Sequence, residues 1–201
     1  MSTVEPRIAI FIHVFAREPY WRPIFDQVDA SLVNSGLSSR ASLIALGVVG
    51  TSDFVNPADY ATVLFLHPDR RQYEFPTLQR VWMFAHTCAD AHVLYLHLKG
   101  VSRGQVQSGW RANMLAACVA GHATALAALQ THDVAGIKWF TRNNAPHFSG
   151  NFWWANARYL RTLQDPLQYR HAEHPLREKE GGRFNAEFWI GSGSPRSFDL
   201  G

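Results

Sequence analysis

Four apolar runs, rich in β-branched and aromatic residues, are separated by segments whose apolar residues recur at helical spacing. That alternation leaves few folds open. The runs are Arg7–Phe15 (RIAIFIHVF), Ala41–Val49 (ASLIALGVV), Ala61–Leu66 (ATVLFL) and Ala91–Leu98 (AHVLYLHL). Each is close to continuously apolar, which suits a strand covered on both faces. Pro19 opens a helix-like segment from Tyr20 to Asn34, with Ile24, Val28, Ser31 and Leu32 on one face and Gly36 past its end. Pro76 opens another, where Leu78, Val81, Trp82 and Ala85 recur at helical spacing. Strands alternating with helices predict βαβ units: an α/β fold, with a mostly parallel central sheet between two helical layers.

The rest of the chain is less regular. A long Ala- and Leu-rich helix is expected from about Trp110 to Thr131, then a strand-like run, Asp133–Phe140 (DVAGIKWF). Loop signals follow at Asn143-Asn144, Pro146 and Gly150. A short helix from Ala155 to Leu163 and a polar loop through Gly182, including Arg177-Glu178-Lys179-Glu180, complete the pattern. At 201 residues, 47% hydrophobic and 17% charged, the chain is sized for one domain over residues 1–201 and is too apolar for extended disorder. The formal charge of +3 comes from scattered basic residues. That fits a phosphate-bearing small molecule better than nucleic acid. Cys88 and Cys118 sit in apolar helix-like stretches and read as reduced thiols. Met1–Pro6 lacks the basic start and apolar run of a signal peptide, and no apolar run is long enough to span a bilayer. A cytoplasmic protein without a transmembrane segment is therefore expected.

In open α/β sheets ligands sit beyond the carboxyl ends of the strands. Those ends are His13–Phe15, His67–Asp69, His97–Gly100 and Lys138–Arg142, and each carries polar or aromatic groups. A strand ending His97-Leu98-Lys99-Gly100 puts His97 and Lys99 on one side of the pleat, and Gly100 lets the backbone approach a ligand. Lys99 offers the charge a diphosphate needs, and His97 could bind a metal or donate to phosphate. A surface lysine beside a core histidine is the plain alternative. Around Pro146–Ala155, Trp153 and Trp154 beside His147, Ser149, Gly150 and Asn151 combine a flat apolar platform with short hydrogen-bonding groups, a mixture that suits sugars. Glu187 lies among apolar and aromatic neighbours, a setting that moves a carboxylate toward use as a general base. Pairing with Arg183 one turn back is its alternative. Glu74 and Thr77 mark the helix start at Pro76, where Thr77 could cap or contact a ligand. Arg111 would bring a guanidinium to a helix N-terminus. Asp53 and Asp69 read as solvated loop acids.

The chain has no Gly-x-Gly-x-x-Gly after its first strand, no Gly-Lys-Ser/Thr phosphate loop, no cysteine pair at zinc spacing and no Gly-x-Ser-x-Gly elbow. A glycosidase would need two facing carboxylates, and only Glu187 is placed for that role. The ordered motifs YEFPTLQRVW, VLYLHLKGVSR, Trp110-Arg111-x-x-Met114, DVAGI, HFSGNFWWANARYLRTL and AEFWI, over residues 73–190, resemble a GT-A-type family. Its members are nucleotide-sugar glycosyltransferase-like proteins of bacterial polysaccharide clusters and large algal viruses. The resemblance implies a GT-A-like α/β/α sandwich, with residues 1–105 binding the nucleotide and residues 106–201 receiving the acceptor. It implies transfer of a sugar from a nucleoside diphosphate to a glycan hydroxyl, with inversion. On that basis His13, Phe15, Glu74, Thr77, His97, Lys99, Gly100 and Arg111 serve the nucleotide and diphosphate. His147, Ser149, Gly150, Asn151, Trp153 and Trp154 serve the sugar or acceptor, and Glu187 is the base. His-x-Lys stands where such enzymes usually carry Asp-x-Asp. Dependence on manganese or magnesium therefore stays open, with His97 the candidate ligand, as does a non-catalytic nucleotide- or glycan-binding module.

Overall fold

A strand buried on both faces needs no polar side, so the apolar runs take the middle of the sheet. In the computed structural model, which describes residues 6–176 and 178–201, Ile8–Phe15 (β1) is buried almost throughout. The expectations for residues 1–5 and for Arg177 lie outside the described residues. After β1 come Trp21–Asn34 (α1), Leu37–Arg40 (α2), Leu43–Val49 (β2) and Thr62–His67 (β3). Phe75–Thr87 (α3) leads into His92–His97 (β4). Gly109–Leu115 (α4), His122–Ala128 (α5), Val134–Gly136 (β5), Trp139–Phe140 (β6), His147–Phe148 (β7) and Trp153–Asn156 (β8) follow. Ala157–Leu160 (α6), Asn185–Phe188 (α7) and Ser197–Asp199 (β9) complete the described elements.

Seven strands form one sheet in the order β3-β2-β1-β4-β8-β5-β9, and β6 pairs with β7 apart from it. β1 is parallel to both β2 and β4, while β8 runs antiparallel between β4 and β5. Side chains of α1, α2, α4 and α5 pack on one face of the sheet; those of α3, α6 and α7 pack on the other. The fold is the expected three-layer α/β/α sandwich around a mostly parallel sheet. The chain builds outward from β1 to β2 and β3, then returns to place β4 on the other side of β1. The carboxyl ends of β1 and β4 are therefore a topological switch point, where such sheets leave a crevice.

Several elements depart from expectation for visible reasons. β3 is an edge strand, so its residues are exposed or half-buried and none is enclosed. The long helix is two helices joined by a π-helical turn, Ala116–Ala120. There Cys118 O accepts a hydrogen bond from the Trp154 indole at 2.7 Å, which draws that carbonyl out of a regular ladder. Asp133–Phe140 divides into β5 and β6, with Lys138 at φ 55 between them. The helix expected from Ala155 begins at Ala157, because Trp153–Asn156 is a strand. Among the described residues no helix is long and apolar enough to cross a membrane.

Candidate functional site at the β1–β4 switch point

The register sets His13 of β1 directly beside His97 of β4. Both lie on the α3 side of the sheet, as does Tyr95 two residues before His97. His13 is 4% exposed, and its Nδ1 lies 2.9 Å from Thr77 Oγ1. Gly47, paired with His13 on β2, makes that contact available: a Cβ there would stand 2.3 Å from Thr77 Oγ1 and 2.8 Å from the Phe65 ring. A glycine inside a strand here marks the close approach of a helix start. His97 Nε2 is 2.8 Å from Gly150 O. A carbonyl only accepts, so Nε2 carries the ring proton and Nδ1 keeps a bare lone pair.

Glu74, just ahead of α3, ties the cluster together. Its Oε2 accepts from the Tyr95 hydroxyl and from Asn151 Nδ2, both at 2.7 Å. Asn151 Oδ1 in turn accepts from Trp153 Nε1 at 2.8 Å, and the Trp153 ring stacks on Tyr95 at 5.0 Å. The Gly150-Asn151 turn, with φ 90 and φ 56, delivers a carbonyl to His97 and an amide to Glu74. Glu74 Oε1 lies 3.9 Å from His97 Nδ1. Burial, reinforced by the Lys99 charge and by Arg183, lowers the His97 pKa to about 3 against the Gly150 bond and Glu187. Burial likewise lowers that of His13 to about 4, with Glu74 opposing and His97 reinforcing. Both imidazoles are neutral at pH 7. Burial and the neighbouring Glu74 raise the Tyr95 hydroxyl far above its usual range, so it remains a donor.

A family profile described as a domain of unknown function, DUF8361, matches residues 51–195. The chain belongs to the DUF8361 family. The matched span holds Glu74, Thr77, Tyr95, His97, Lys99, Asn151 and Glu187, whereas His13 and Gly47 precede it. No curated protein matches the chain.

The remaining candidate residues of this DUF8361 domain divide cleanly. Lys99 and Glu187 are half-buried on the rim, and both act electrostatically on His97. Glu187 is flanked by buried Ala186 and Phe188 yet is itself partly exposed, so its apolar neighbours do not enclose it. Arg183 ion-pairs with Glu180 at 2.7 Å. His147 Nδ1 donates to Ala145 O at 2.7 Å and its ring meets Phe188 at 5.2 Å, which supports α7 from below Glu187. Ser149 is half-buried, its N–H donating to Lys138 O at 3.0 Å. Gly100, at φ 104, caps the turn after β4.

Three expectations need correction. Trp153 and Trp154 are fully buried strand residues on opposite faces of the sheet, so they form no sugar-facing turn. Phe15 packs with the other face of the sheet, beside Gly50, rather than with His13. Arg111 is 1% exposed, and its guanidinium donates to Lys99 O at 2.5 Å, Gln105 O at 3.2 Å, Gln27 Oε1 at 2.7 Å and Val106 O. With its donors spent on the loop after β4, it shapes that loop and does not face a diphosphate. Conversely, Tyr95 and Gly47 belong to the site without a signal of their own in the sequence, and Arg183 pairs with Glu180 rather than with Glu187. Tyr95 could have been found from its two-residue spacing to His97 on one strand.

A divalent ion fits poorly. The donor set is one carboxylate and two imidazoles, with Glu74 Oε2, His97 Nε2 and His13 Nδ1 already bonded. Among the described residues no group of three or more His, Cys, Asp or Glu side chains is placed to hold a metal ion, and magnesium and manganese favour oxygen-rich sets. A groove of about 1290 Å³ lies at the opposite end of the sheet beside Arg7, Asp90, His92, Asp133 and Arg158. Within it Arg158 pairs with Asp90 at 2.6 Å and Arg196 with Asp133 at 3.2 Å, and it flanks the amino ends of β1 and β4.

Proposed function

We propose that the chain transfers a sugar from a nucleoside-diphosphate donor to a glycan hydroxyl, with inversion at the anomeric carbon. One observation carries this reading: a preorganised polar cluster at the β1–β4 switch point, with a lysine and a carboxylate on its rim. The acceptor oxygen attacks the anomeric carbon and its proton passes to Glu187. The bond from that carbon to the phosphate oxygen breaks, and the electron pair leaves with the nucleoside diphosphate. Lys99 offers fixed positive charge as that leaving group develops. Gly150 O holds His97 in one tautomer and orientation, and Asn151 fixes Glu74 beside it. A reduced, cytoplasmic setting belongs to the same proposal and is supported by Cys88 and Cys118 being free thiols.

The test is turnover of a panel of nucleotide sugars with glycan acceptors. Glu187→Gln is expected to lower kcat by about 10²- to 10⁴-fold, the range for a general base, with an unchanged melting temperature. Near-normal turnover in a folded variant would remove Glu187 from the mechanism. A second reading, a binding module without catalysis, is favoured by His97-x-Lys99 standing where an acidic pair is expected. Nucleotide binding with neither transfer nor donor hydrolysis would select it.

A further inference from the structure

Two hydrogen-bond acceptors face each other across 3.9 Å at the heart of the site: Glu74 Oε1 and His97 Nδ1. His97 Nδ1 is an acceptor because Nε2 holds the ring proton against Gly150 O. At 3.9 Å the two atoms do not bond to each other. Among the described residues no hydrogen bond reaches either acceptor, and the nearest donors have other partners. Tyr95 and Asn151 serve Glu74 Oε2, Trp153 serves Asn151 Oδ1, and Thr77 pairs with His13. Neither acceptor is free to turn away. Glu74 is pinned through Oε2, and the His97 ring is held by Gly150 and set edge-on to Phe152 at 5.3 Å. Their side chains are 16% and 12% exposed, so a ligand can reach their edges while bulk water screens them weakly.

We propose that Glu74 and His97 together receive two hydroxyls on adjacent carbons of the ligand, a vicinal diol, and keep phosphate on the Lys99 side of the site. A phosphate brings acceptors and negative charge to a carboxylate and a bare lone pair, and is repelled. A single hydroxyl donates once and leaves one acceptor unpaired, which is costly in a half-buried setting. A diol donates once to each. An ammonium group would satisfy both acceptors but would add a second cation beside Lys99, whose charge already acts on His97. The proposal assigns His97 to neutral recognition rather than to donation toward phosphate. It rests on the transferase reading for the source of the diol, which is either the ribose of the nucleotide or the sugar it carries.

The experiment uses the full chain with histidine-labelled rings. It reads affinity by calorimetry and the His97 Nδ1 resonance by NMR. Uridine diphosphate is compared with its 2′-deoxy and 3′-deoxy analogues, nucleotide sugars with deoxy-sugar counterparts, and methyl glycosides are added alone. A ribose diol predicts at least about tenfold weaker binding of either deoxynucleotide, the size of a lost hydrogen bond to a charged group, with the His97 resonance moving on binding. That discrimination is expected to shrink to about twofold or less in Glu74→Gln and His97→Gln, well below the loss from one such bond. Because the ligand series runs on the unmodified protein, a variant that fails to fold does not blunt the test. Equal binding of deoxynucleotides with the same loss for deoxy-sugars moves the diol to the sugar and supports the proposal. Nucleotide binding with every deoxy analogue equal and His97 unmoved overturns the diol while leaving the transferase reading standing. Methyl glycosides that move His97 without any nucleotide binding support the diol and overturn the transferase reading. No response to any compound overturns both.

Discussion

Arg111 and Glu74 are both charged groups drawn into the protein near the end of β4, one on each side of the sheet, and they are treated in opposite ways. Every N–H direction of the Arg111 guanidinium is taken, by carbonyls of the loop after β4 and by Gln27 from α1. Glu74 is satisfied through one oxygen and turns the other toward a second acceptor. A buried charge whose partners are complete is architecture, since any ligand would have to break bonds to reach it. A held acceptor facing another held acceptor is a place where an incoming pair of donors gains two bonds and breaks none. The contrast separates the scaffold of this end of the sheet from its candidate recognition surface.

The contrast can be broken most severely at Arg111. Replacing it with Met removes the hub of the loop and orphans several carbonyls, so a loss of at least about 3 kcal/mol in urea unfolding is expected. A loss below about 1 kcal/mol, the worth of a single ordinary hydrogen bond, would show the loop to be held by something else. Acid comes next. Burial depresses the His13 pKa from 6.5 to about 4, so the unfolded chain binds the proton first. The stabilisation is therefore present above pH 6.5 and is lost as pH falls toward 4; it amounts to roughly 3 kcal/mol from His13 at 1.36 kcal/mol per unit. His97, lowered to about 3, extends the loss in the same direction. Unfolding midpoints between pH 7 and pH 4 should fall steeply in the unmodified protein and less steeply in His13→Gln; parallel slopes would count against a buried neutral His13. The smallest effect is expected at Gly47. The methyl of Gly47→Ala would meet Thr77 Oγ1 and the Phe65 ring, costing about 1–3 kcal/mol as overpacking. It should also raise the His13 pKa by displacing Thr77 and opening the site. An unchanged melting temperature would mean that α3 shifts freely, which would sharpen the distinction between the α3 side of the site and the Arg111 scaffold.

Much of this was legible before any coordinates. β1, β2 and β4 fall within a residue or two of the apolar runs, because a continuous run can be satisfied only by burial on both faces. The strand-end rule then singled out His13, His97 and Lys99, and the Pro76 helix start brought in Glu74 and Thr77. In the HFSGNFWWA motif composition misleads. Gly150 and Asn151 do belong to the site, but the two tryptophans serve the core. A Trp pair beside Gly and Asn looks alike whether it faces a ligand or enters a sheet, since aromatic rings suit both.

The sequence alone determined the main periodicities: where the four apolar strands and the first helices run, and that the sheet is mostly parallel. Those follow from local rules, because side-chain alternation and helical spacing are set by backbone geometry. Only the tertiary structure decided that β8 inserts antiparallel between β4 and β5, and that insertion carries the Gly150-Asn151 turn to His97 and Glu74. It also decided that Arg111 is consumed by Gln27, 84 residues away in the chain, and that His13 meets Thr77, 64 residues away. Hydrogen-bond satisfaction is a property of atoms brought together in space. Whether a polar residue is finished or still open to a ligand cannot be seen until its partners have been.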